Sequence, residues 1–174
     1  MAEYFIVYSA SAGTELWRGQ CQDGQADRQV LPEGAALLKV SAAAMGTVPV
    51  DLDIIRDDQR AIVDAAADTF CLQFVTPGVT QSMRYQEKLA EAKAWTTGAD
   101  PTHFPFLALE AQATDVTIDA LAATVLAKAA EWLQIGAKVE AARMAAKREI
   151  SLATTVGAIA ASATIDWNAA VNGA

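Results

Sequence analysis

Apolar positions in the C-terminal third recur at Ile118, Leu121, Val125, Ala129, Trp132, Ile135, Val139, Ala142, Ala146, Ile150 and Ala153. Steps of three and four average roughly 3.5 residues, the spacing that keeps one seam of a helix facing a partner. Between Thr117 and Ile165 there is no proline, the glycines are Gly136 and Gly157, and alanine dominates. Alanine orders in a helix at the lowest side-chain entropy cost. The pattern predicts one long helix over 117–165, about 60–70 Å at ~1.5 Å per residue. Thr117 suits its N-cap and Asp119 its first turn. Lys128, Glu131, Lys138, Glu140, Arg143, Lys147, Arg148 and Glu149 supply a wet face. A helix this long exceeds what the rest of a small chain can cover, so the seam is expected to need a partner. Gly157 is a candidate kink or stop, and 168–174 reads as a frayed tail.

The N-terminal half alternates on a shorter period. Tyr4–Tyr8, Glu15–Cys21 and Ala35–Val40 read as strands, with a further short one at Gln29–Leu31. Val48–Ile55 alternates Val50, Leu52 and Ile54 against Asp51 and Asp53, and so predicts a strand with one wet face. Phe70–Val75 also favours strand, after a turn or short helix containing Ala65-Ala66-Ala67. Thr76-Pro77-Gly78 is the clearest break. Beyond it, Tyr85, Leu89, Ala92 and Trp95 mark a helix over about 80–96, and Pro105 opens another over 105–113. The expected fold class is α+β. A small antiparallel β domain, residues 1–76, precedes a helical domain, 79–174, in which one long helix forms a hairpin or coiled-coil bundle.

Charge sharpens this division. The 174 residues carry a formal net charge of −8. Residues 1–79 hold five basic and eleven acidic side chains, whereas residues 80–174 hold eight and ten. That balance argues against binding nucleic-acid phosphates. No apolar run approaches ~18 residues without charge, so no membrane span is expected. Met1-Ala2-Glu3 lacks a basic leader, so no signal peptide is expected. Cys21 and Cys71 have no metal-type spacing and read as free buried thiols in a reducing compartment, with a disulfide as the unsupported alternative.

Catalytic chemistry finds little footing. His103, the sole histidine, sits in a proline-bounded loop with no nucleophile elbow to serve. Asp51, Asp53, Asp57 and Asp58 cluster, but without the spacing of a calcium loop they read as a solvated edge. The glycines form no phosphate loop. Tyr4, Tyr8, Trp17, Phe70 and Phe74 suit a small β core, or else a ligand pocket. Arg143, Lys147 and Arg148 could meet an acidic partner, although Glu140 neutralises Arg143 locally. No catalytic residue, metal or cofactor is expected, and the chain reads as a non-enzyme.

Several runs resemble phage tail proteins: Arg84-Tyr85-Gln86-Glu87-Lys88-Leu89-Ala90-Glu91-Ala92, Phe104-Pro105-Phe106-Leu107-Ala108-Leu109-Glu110-Ala111, Ala127-Lys128-Ala129-Ala130-Glu131-Trp132 and Val139-Glu140-Ala141-Ala142-Arg143. They cover about residues 80–165. Tyr4–Tyr8, Arg18-Gly19-Gln20-Cys21 and Pro32-Glu33-Gly34 are loosely similar to tail-fibre assembly proteins. The resemblance implies a bacteriophage tail-fibre assembly chaperone, or a structural fibre or baseplate subunit of the virion tail. It implies no catalytic residues, favours a homotrimer, and places the chain in the host cytoplasm during assembly. The partner would be a tail-fibre or baseplate chain, met by Leu121, Val125, Trp132, Ile135, Val139 and Arg143. The alternative is a carbohydrate- or small-ligand-binding module on a helical stalk.

Overall fold

A computed structural model describes residues 2–75 and 78–173. The boundary expected at Thr76-Pro77-Gly78 therefore has its first two residues outside the described range. Packing divides the chain into two compact units. One joins the chain up to Asp68 to the chain from Val139 onward, and the other is Thr69–Lys138. The expected division into 1–76 and 79–174 follows the change in composition; the packing instead nests one unit within the sequence of the other.

The first unit holds a three-stranded antiparallel sheet, β1 (Ala2–Ser9), β2 (Glu15–Gln22) and β3 (Ala35–Val40), in the order β2-β1-β3. β1 lies centrally because Phe5, Ile6 and Val7 are buried in succession and need cover on both faces. Ile6 pairs with Leu38 and faces the main core, whereas Phe5 and Val7 meet Ala26 on the other face. Opposite Phe5 stands Gly19. A Cβ there would fall 2.5 Å from the Phe5 ring, so glycine is what lets the ring lie across the neighbouring strand. Gln29–Leu31 is not a strand; a 3-10 turn at Ala26–Arg28 precedes it.

The main core of this unit collects Ile6, Leu38, Ile55, Val63, Ile150, Val156 and Ile159. Ile55 and Val63 lie on α1 (Leu52–Cys71), which corrects the strand expected at Val48–Ile55. The alternation there is a coincidence over a short window. Asp51 accepts a hydrogen bond from the Asp53 N–H at 2.9 Å and so caps the helix, and Asp53 lies in its acidic first turn. The face α1 buries runs Ile55, Gln59, Val63, Ala67 and Phe70, at helical steps. The strand expected at Phe70–Val75 is likewise the end of α1 followed by a turn.

α4 (Ile118–Leu152) is the long helix, and it stops before Gly157. The prediction of one helix to 165 fails because the chain restarts. Thr155 caps α5 (Val156–Ala163) by accepting from the Ala158 N–H, and Asp166 caps α6 (Trp167–Asn172) by accepting from the Ala169 N–H. The expected frayed tail is therefore helical through Asn172, with Val171 buried. Gly157 serves another purpose. Its N–H donates to the Gly13 carbonyl at 2.9 Å, and a Cβ at 157 would stand 2.6 Å from the Gly13 Cα.

The second unit packs α2 (Val79–Ala94) and α3 (Pro105–Thr114) against the first part of α4. Both shorter helices lie within two residues of the expected ranges. Ala92, Leu107 and Ala122 form the centre, ringed by Trp95, Phe104, Ile118, Leu121 and Val125. As a whole the chain is α+β, a small antiparallel sheet followed by a mainly helical region with one long helix. Among the described residues no helix is long and apolar enough to cross a membrane.

Candidate functional site

α4 carries every residue assigned to partner contact, and its surroundings change from turn to turn. At its start Thr117 accepts from the Ala120 N–H at 3.2 Å. Asp119 accepts from the Trp95 indole at 2.9 Å and the Thr97 hydroxyl at 2.7 Å. These two donors, the indole foremost, hold its carboxyl below the usual carboxylate range. Glu91 on α2 accepts from the N–H groups of Phe106 and Leu107, supplying a cap that α3 lacks in its own sequence. Lys88 pairs with Glu110. The polar ends of the second unit are thus tied together, and Leu121 and Val125 pack as half-buried flanks of its core.

From Val139 onward α4 belongs to the first unit. Val139 is 4 % exposed, and Ala146 and Ile150 enter the main core. Arg143 donates to Asp64 at 2.5 Å and to Glu140 at 2.7 Å, while Lys147 reaches Asp64 at 2.7 Å. The hydrogen bond from Lys147, then that from Arg143, holds the Asp64 carboxyl below its ordinary range.

The seam expected to lie open is therefore covered by the chain itself at both ends. Leu121 and Val125 have apolar cover, Val139 is buried, and Arg143 is engaged by two carboxylates. Trp132, 37 % exposed, and the half-buried Ile135 are what the set still offers. The Trp132 ring folds along its own helix, where a Cβ at Gly136 would meet it at 3.5 Å.

A different row is not apparent from the sequence. Ala123, Leu126, Ala130, Leu133 and Ala137 are all exposed, Leu126 by 39 % and Leu133 by 67 %. At 3.6 residues per turn they fall within about 80° of one another, on another side of α4 from the covered seam. Steps of three and four counted from Ala123 pick out the same row. The larger residues of the inner seam mask it.

The other candidate chemistry disperses. Each aspartate of the acidic cluster is used locally. Asp51 caps α1, Asp53 pairs with Arg56, Asp57 pairs with Arg60, and Asp58 accepts from the Ser41 N–H. Among the described residues no group of three His, Cys, Asp or Glu side chains could hold a metal ion. Tyr4, Tyr8 and Trp17 belong to the first unit, Phe70 and Phe74 to the second, the latter pair meeting edge to face at 5.4 Å. Neither cysteine is disulfide-bonded. His103 closes a 3-10 turn whose cap is Asp100. A shallow concavity of about 620 Å³ in the first unit is lined by Tyr8, Gln59, Thr155 and mostly small side chains, with no carboxylate, amine or thiol.

Comparison of the chain with protein-family models, with curated proteins and with solved structures finds no match in any of the three.

Proposed function

We propose that the chain is a non-enzymatic protein associated with phage tail fibres, either an assembly chaperone or a permanent fibre or baseplate subunit. It works through protein–protein contact in the host cytoplasm and, for a permanent subunit, in the virion tail. Two things support this reading: the resemblance over about residues 80–165, and one observation. Between the stretches of α4 that the chain covers, Trp132 and Ile135 present apolar surface at a seam position. Burying a fully exposed large apolar side chain contributes about 1.5–3 kcal/mol, and these partly covered residues would each add a part of that to a contact with a partner helix.

The test is co-expression with the tail-fibre chain encoded in the same genome. Trp132→Asp combined with Ile135→Asp is expected to weaken co-purification by about a hundredfold or more. Circular dichroism should show helix content unchanged. Undiminished co-purification, or no capture of the fibre chain by the native protein, would overturn the reading.

A further inference from the structure

The outer row of α4 has a symmetry of its own. Leu126, Ala130, Leu133 and Ala137 are spaced by four, three and four residues, a sequence of steps that reads the same in both directions. Turned about a two-fold axis between residues 131 and 132, the row meets itself with Leu126 opposite Ala137, Ala130 opposite Leu133, and the converse. Each layer then sets one large side chain against one small one, the arrangement that lets facing helices interdigitate at even spacing. A parallel pair or trimer in register would instead alternate Leu on Leu with Ala on Ala.

Charge selects the same occupant. The chain carries −8, so two copies repel wherever their acidic surfaces meet. The positions flanking the row, Ala122, Ala127, Ala129 and Gln134, are uncharged. Lys128, Glu131 and Lys138 lie about 100° or more from its midline. Glu140, one turn beyond Ala137 and paired with Arg143, borders the row and falls opposite Ala123 of a copy, so a copy can dock over this row without like charges facing each other.

We infer that α4 pairs antiparallel with α4 of a second copy through Leu126, Ala130, Leu133 and Ala137. This pairing does not depend on a fibre partner, and it takes the place of the three-fold assembly that the resemblance implies.

Sedimentation velocity over a concentration series of the full chain tests it first. A monomer–dimer equilibrium is expected, and Leu126→Asp with Leu133→Asp should weaken it by about tenfold or more with helix content retained. Register is tested in a background with Cys21→Ser and Cys71→Ser. A tagged Ala130→Cys chain is mixed with an untagged Leu133→Cys chain and oxidised. Heterodisulfide in excess of both homodisulfides supports the antiparallel pair. Dominant Leu133→Cys homodisulfide, a trimer, or a chain monomeric at every concentration overturns it. Such a monomer that still binds fibre through Trp132 and Ile135 would leave the tail-fibre reading standing. Conversely, a dimer that ignores the fibre chain supports the pair alone.

Discussion

Gly157 shows how one missing side chain can fasten a helix to a sheet. Its Cα lies where the β1–β2 turn passes, and the two backbones share a hydrogen bond from Gly157 to Gly13. A Cβ would enter at 2.6 Å from another backbone atom, which cannot give way as a flexible side chain can. Gly157→Ala is expected to destabilise the protein by about 1–3 kcal/mol, read as a lower urea midpoint at constant slope. The sequence offers the glycine but not its reason, since Gly13 and Gly157 lie far apart along the chain. Asp51 and Asp53 illustrate the opposite difficulty. Their meaning is entirely local, a cap and a first-turn acid, yet Val50, Leu52 and Ile54 around them also fit a strand. Extending the count to Gln59, Val63 and Ala67 resolves the period in favour of helix.

Among the elements, α1 and the last turns of α4 are held by a compact charge set. Asp64 receives Lys147 and Arg143, and Arg143 also holds Glu140. Both carboxyls sit below their usual range, through Lys147 and then Arg143 at Asp64, and through Arg143 at Glu140. A carboxyl lowered in the folded state adds stability that is complete above its unfolded value and fades as pH falls through the folded one. The loss therefore belongs below about pH 4, where unpaired carboxyls ordinarily titrate. Asp64→Asn should flatten the acid limb of a melting-temperature profile and leave its pH dependence above about 6 unaltered. Strand β1 was legible from its aromatic and β-branched run, and β2 and β3 from short apolar segments set between clear turns. Helices α2 and α3 were legible from Pro105 and the Tyr85–Leu89–Ala92–Trp95 stripe. The outer row of α4 was not, because alanine looks alike on a covered face and a bare one, and only burial separates them.

For the whole molecule, packing joins what the sequence holds apart. Ile6 and Leu38 from the sheet bury against Ile150, Val156 and Ile159 from the far end of the chain. Residues 1–78 alone are thus expected to lack a cooperative thermal transition, and adding a peptide of residues 139–174 should restore one, followed by near-ultraviolet circular dichroism. Cooperative melting of the fragment by itself would count against this core. The composition change near residue 76 could not disclose the arrangement, since it records where helix replaces strand rather than which surfaces meet. The arrangement also bears on how the protein is made. The β-hairpin is translated before the residues that shelter its apolar face, Ile150, Val156 and Ile159. Until those residues have emerged that face stays uncovered, which makes the growing chain a client for any holding factor that the cell can offer.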